Sequence, residues 1–252
     1  FSQLRVLLTH PQLRLLNISV CVLHMMITIL FVQLPQMLSA TGIALAQQWT
    51  WYLPVLLISI VGLLGLMRVA KIHPKLVMQI SIIAMTLCFI GFGWESEHSL
   101  ELWQLYAFAI LFFIGFNYLE ANIPALVSSI APAGSKGSAM GIYASFQFFG
   151  AFLGGTISGL LISSFSENTL YTTCSVIGIL WLVIISFLSH HERLKRVTLN
   201  LKDTRYSVAE VAERLQAIAG IKDITVVEDE RAAYLKVDPH TFDLTLAQQA
   251  VQ

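Results

Sequence analysis

Residues 102–130 read LWQLYAFAILFFIGFNYLEANIPALVSSI. One charged residue, Glu120, and one proline, Pro124, interrupt an otherwise apolar and aromatic run. A hydrocarbon core about 30 Å thick takes roughly 20 apolar helical residues to cross, so the stretch predicts a transmembrane helix. Working outward, five further stretches meet the same criterion, and the six spans run 13–38, 51–70, 76–93, 102–130, 139–163 and 169–188. They are too long and too many for a signal peptide.

Composition agrees. The chain of 252 residues is 56% hydrophobic and 12% charged, with 15 Lys+Arg balancing 15 Asp+Glu, whereas soluble domains run at about 45–50% apolar and about 25% charged. That excludes a water-soluble globule of ordinary make-up, a disordered chain and a nucleic-acid binder driven by net positive charge. Most of the charge lies after residue 188, so the chain divides into a hydrophobic body, 1–188, a short charged exit, 189–196, and a polar tail, 197–252. Cys21, Cys88 and Cys174 each fall inside a span without a partner at ligand spacing, and read as small buried hydrophobes.

The loops between spans alternate in charge. Arg5 and Arg14 precede the first span; Arg68, Lys71 and Lys75 follow the second; Lys136 follows the fourth; Arg193, Lys195 and Arg196 follow the sixth. The intervening loops are uncharged (39–50) or acidic, with Glu95, Glu97 and Glu101 in one and Glu167 in the other. Lys/Arg-bearing loops stay on the cytoplasmic side, which predicts cytoplasmic termini and a cytoplasmic tail. Trp51, Tyr52, Trp94 and Trp103 then fall at the opposite interface.

In the tail, 196–201 alternates as a strand, Ser207 with Glu210 forms a capping box opening a helix over 208–219, and Gly220 ends it. Strands over 221–227 and 232–237 flank a polar turn at 228–231, Asp238-Pro239 closes the second, and a further helix starts at Thr241. The order β-α-β-β-α is one strand short of a ferredoxin-like unit. It resembles heavy-metal-associated domains, but the loop at 202–207 holds Lys-Asp-Thr-Arg-Tyr-Ser, with no thiol or imidazole, so no metal is expected there. The tail reads as a docking or regulatory module for a cytoplasmic ligand or partner.

Three segments carry a family resemblance: GLMRVAKIHPK at 65–75, NYLEANIPALVSSIAPAGSKGSAMG at 117–141 and QFFGAFLGGTISG at 147–159. They resemble the second copy of the loop motif, the fourth-span turn and the glycine-rich fifth helix of the major facilitator superfamily (MFS). Six spans followed by a ferredoxin-like tail are similar to the C-terminal half of the superfamily's YajR type, drug or sugar efflux transporters whose tail is called a YAM domain. The resemblance implies a fold of twelve helices. Since the chain starts at Phe1 rather than Met, it leads us to expect a fragment whose partner is an N-terminal six-helix half. It also implies a loop motif on Gly65, Arg68, Lys71 and Lys75. The expected acid is absent, with Leu66 and Met67 before Arg68, and Ser129 stands where the fourth span often ends in an acid. The implied latch is Arg68 with Ser129 and helix-end carbonyls; the alternative for these cations is a purely topogenic role.

Glu120 is the one carboxylate well inside a span. Placing a charge there costs about 2.5–3.5 kcal/mol on insertion scales, which makes an intramembrane acid a functional candidate. Hydrocarbon disfavours the charged form of a carboxyl group, so such an acid can exchange protons. Asn117 and Pro124 share its face and Asn122 lies nearby; the alternative is a structural Glu steadying the break at Pro124. His24, mid-span, is a second proton candidate, with Asn17 before it and Gln33, Pro35 and Gln36 after it, or else a bond to a neighbouring helix. Tyr143 and Gln147, four apart, are substrate hydrogen-bonding candidates. Gly150/Gly154 and Gly155/Gly159 are small-xxx-small pairs for close helix packing.

No nucleophile–base pair, phosphate loop or metal cluster is legible, which predicts a cofactor-free non-enzyme. The expected function is secondary transport: proton-coupled efflux of a small-molecule substrate across a bacterial inner membrane by alternating access, without nucleic acid. Two other readings are a non-transporting sensor signalling through its tail and a six-helix homodimer.

Overall fold

The computed structural model describes residues 2–95, 101–132, 134–189, 195–201, 204, 206–228, 231–238 and 241–251. Glu97, His190 to Arg193, Lys202, Asp203, Arg205, Asp229, Glu230 and Pro239, which entered the sequence reading, lie outside the described residues, as do the side chains of Glu95, Lys195 and Arg196.

A short helix that the sequence reading did not contain, α1 (Ser2–Thr9), comes first. Leu7 is buried, whereas Leu4, Val6 and Leu8 are exposed. The chain then continues into α2 (Pro11–Ala40), with proline in its first turn, where a missing N–H costs nothing, and the His10 ring accepting from Leu13 N at 3.4 Å. Gly42, at φ +90°, follows its end. The helices α3 (Trp49–Ala70), α4 (Pro74–Glu95), α5 (Leu102–Ile130), α6 (Lys136–Ser164) and α7 (Glu167–Ser186) follow in turn. A capping box between Glu101 and Gln104 opens α5, and the Ser166 hydroxyl accepts from Thr169 N at the start of α7. Proline at 132 lies just beyond the end of α5, where the residue before it leaves helical geometry (Ala131, ψ 134°). Six helices, α2 to α7, are long and apolar enough to cross a membrane.

Their packing gives two layers. Helix α5 packs against α3 on one side and α2 on the other, and α2 packs most extensively against α6, which makes a row α3–α5–α2–α6. Behind it stand α4 and α7, packed on each other. The flanking helices are the least covered, 17% buried for α3 and for α6 against 56% for α2, and they present large apolar side chains such as Leu57 and Val61 or Phe148 and Phe152.

The α2–α6 contact depends on glycine. A Cβ on Gly150 would overlap the Cys21 carbonyl, and one on Gly154 would come within 2.5 Å of Met25 O. The other pair differs: Gly155 and Gly159 are exposed, with nothing within 4 Å of a Cβ at either. Other close approaches had no counterpart in the sequence reading, among them Gly115 on Ser81 O of α4 and Gly178 on the Thr86 side chain.

The tail is an α+β unit of β1 (Lys195–Asn200), α8 (Val208–Gln216), β2 (Ile221–Val227), β3 (Ala232–Val237) and α9 (Leu244–Val251). The sheet order is β1-β3-β2, with β3 antiparallel to both neighbours. The capping box at Ser207 and Glu210 forms, and hydrogen bonds from the Ser207 hydroxyl and backbone hold the exposed Glu210 carboxyl below its usual range. Helix α8 stops three residues earlier than periodicity suggested, at Gln216, with a turn leading to Gly220 at φ +87°. Alternation along β3 puts Ala233, Leu235 and Val237 into a core with Leu199, Val211, Leu215, Ala247 and Val251.

Because overpacking costs about 1–3 kcal/mol, Gly150→Ala and Gly154→Ala should lower the thermal unfolding temperature of the detergent-solubilised protein. Gly155→Ala and Gly159→Ala should leave it unchanged. Equal effects at all four positions would contradict this packing.

Candidate functional site

The row of four helices carries a band of polar side chains on α2, α5 and α6. His24 projects from the middle of α2. Its Nδ1 lies 3.2 Å from Val20 O, which accepts the Nδ1 proton and leaves Nε2 as an acceptor in the neutral ring. Gln147 of α6 meets that nitrogen, Nε2 to Nε2 at 2.7 Å, so the amide donates. Glu120 of α5 approaches from the other side, its Oε2 at 3.6 Å from the same His24 Nε2. One imidazole nitrogen thus joins three helices.

Glu120 is held ambiguously. Its side chain is 37% exposed, yet Oε2 is sealed from solvent without a hydrogen bond. Pro124, four residues on, cannot donate to the Glu120 carbonyl, so this turn of α5 is locally weakened. Tyr143 is buried on α6, and its hydroxyl also lacks a hydrogen bond. The buried Asn17 of α2 presents an unbonded Oδ1. The Phe116 ring stands edge-on to His24, centroids 6.2 Å apart.

The protonation states have different geometric demands. With His24 neutral, Nε2 accepts from Gln147 and Glu120 gains no donor there. A proton on Nε2 would turn it into a donor, for which Glu120 Oε2 at 3.6 Å is the nearest anionic acceptor, and the Gln147 N–H could no longer donate to it. A single proton therefore exchanges one α2–α6 bond for an α2–α5 one.

The other candidates separate from this junction. Asn117 Nδ2 donates to Ser59 Oγ at 3.1 Å, tying α5 to α3. Buried Gln33 donates to Ser158 Oγ at 3.0 Å, a second α2–α6 tie. Asn122 donates to Tyr118 O on its own helix, and exposed Gln36 donates to Val32 O on its own. Neither joins the cluster. Ser59 and Ser158, absent from the sequence candidates, are ordinary hydroxyls in apolar helices, and only pairing across helices distinguishes them.

At the loop motif, Gly65 is open, with nothing within 4 Å of a Cβ, and Arg68 and Lys71 are exposed. Lys75 donates to Ser186 O at 2.6 Å, a cation on the C-terminal end of α7. Among the described residues no hydrogen bond joins Arg68 to Ser129. The carbonyls of Ile130 and Ala131 next to Ser129 accept from another cation, Lys236 of β3, at 3.4 and 2.5 Å.

Residues 16–226 match the sequence profile of the Major Facilitator Superfamily. The chain belongs to that superfamily. This MFS chain is similar to the inner membrane transport protein YajR of Escherichia coli (strain K12), at 28% identity over 247 residues, 97% of this chain and 54% of the relative. An uncharacterized transporter of Buchnera aphidicola subsp. Baizongia pistaciae (strain Bp) is 37% identical over 73 residues, 29% of this chain and 18% of its own length. Another, of Buchnera aphidicola subsp. Acyrthosiphon pisum (strain APS), is 30% identical over 137 residues, 54% of this chain and 35% of its own length. The MFS chain thus spans about half the length of the E. coli relative it matches.

The Gln33–Ser158 pair tests which bonds are only structural. Leaving one buried partner unsatisfied costs about 1–3 kcal/mol, more than removing both. Gln33→Leu and Ser158→Ala should each destabilise the protein, and the double variant should recover part of the loss in a double-mutant cycle of unfolding. Strict additivity would mean that the pair is not coupled.

Proposed function

We propose that the chain forms part of a secondary active transporter in a bacterial inner membrane, with its termini and tail on the cytoplasmic side. On this reading it exports a small solute or drug in exchange for protons by alternating access. The observation that carries the reading is the shared His24 nitrogen, bonded to Gln147 and faced by Glu120. It supplies a proton-dependent choice between helices in the middle of the bundle, as coupling requires. The substrate face is the uncovered side of the row, beside the part-exposed Glu120, where a second six-helix half would close the cavity. Membership in the superfamily, transporter-named relatives and a match to about half of the E. coli relative support it.

The geometry supports a division of roles. Glu120 takes up and releases the proton, His24 and Gln147 sense its charge, and Pro124 lets α5 flex beside it. Alternating basic loops support the sidedness.

Glu120→Gln keeps the shape of the side chain and removes its titration. In full-length protein reconstituted into proteoliposomes, it should abolish drug or sugar flux driven by a pH gradient while leaving the unfolding temperature near that of the parent. Coupled flux at the parental rate would overturn the role given to Glu120.

A further inference from the structure

Lys236 is the one charged side chain among the described residues that is buried, at 7% exposure. It lies on β3 opposite the tail's core face, so the tail itself does not enclose it: Leu235 and Val237, its neighbours in sequence, point into that core. Its amine reaches the body instead, donating to Ala131 O at 2.5 Å and Ile130 O at 3.4 Å. Asp223, its partner across the β2–β3 ladder, lies 3.7 Å away and balances its charge. The end of α5 suits such a donor. Its last carbonyls have no intrahelical partners, the helix dipole places partial negative charge there, and Pro132 offers no N–H.

We propose that the tail is a releasable brace on α5, with the β3 face as its docking surface and the C-terminal carbonyls of α5 as the partner. The braced segment, 125–131, lies between Pro124 and Pro132, so its backbone is weakened at both ends. Lys236 fastens the side opposite the break. The contact is narrow: among the described residues, no tail element packs broadly on a bundle helix. A narrow, charge-assisted contact holds when the end of α5 stays in place and lets go when it moves. The inference concerns the attachment of the tail and does not depend on the proton-coupling reading.

The test uses full-length protein in membranes and reads the two sides separately. In the parent, acylation of Lys236 by an amine-reactive reagent, followed by mass spectrometry, should be at least about tenfold slower than that of exposed Lys222. Ala131→Arg, a change in the body alone, should bring Lys236 to the rate of Lys222. Conversely, Lys236→Gln should raise hydrogen exchange at 128–131 about tenfold, as expected for losing a charge-assisted hydrogen bond, and Lys236→Arg should restore protection. Unchanged exchange around Leu235 and Val237 reports that the tail still folds. Lys236 labelling as fast as Lys222 in the parent, or staying protected in Ala131→Arg, would overturn the brace, as would unaltered exchange at 128–131 in Lys236→Gln. None of these readouts involves flux, so the brace and the transport reading fail separately.

Discussion

The close approach of α6 to α2 at Gly150 and Gly154 is the constraint on which the rest of the membrane body depends. Lipid provides no hydrophobic force to bring helices together, so they associate through tight packing and a few polar bonds. The absent side chains let the α6 backbone meet the carbonyls of Cys21 and Met25. That approach brings Gln147 to His24 at 2.7 Å and Ser158 to Gln33 at 3.0 Å. A larger side chain at either glycine would separate the helices and, with them, the pairs that define the site.

Helix α5 is the element on which the other interactions converge. Asn117 ties it to α3, Glu120 faces His24 of α2, Gly115 seats it against α4, and its final carbonyls take Lys236 of the tail. The helix is braced laterally and at its end, and weakened between by Pro124. A helix so arranged can shift its C-terminal segment without losing its seat in the bundle. That is the property wanted in an element proposed to link a proton site to the tail.

How much of this was legible in the sequence varies with the physics. The six spans were readable because long uncharged windows have no other stable solvent, and the tail because Ser207, Glu210 and Gly220 mark helix ends by local chemistry. Glu120 and His24 stood out because polar groups are rare in hydrocarbon. Periodicity did not tell which way short polar side chains would turn: Asn122 and Gln36 bond to their own helices, whereas Asn117 reaches across to Ser59. Of two glycine pairs with the same spacing, only helix orientation selects the one that packs. Lys236 was illegible because a lysine in an exposed strand register looks the same until the body covers it.

The central claim is that Glu120 exchanges a proton beside His24, and infrared difference spectroscopy tests it most directly. In reconstituted full-length protein taken through a pH jump, the account predicts a protonated-carboxyl C=O band that appears on acidification. It should be missing in Glu120→Gln and displaced in His24→Gln, where the nitrogen facing the carboxyl is replaced. A carboxyl band unchanged by Glu120→Gln would show that the proton resides elsewhere and contradict the account.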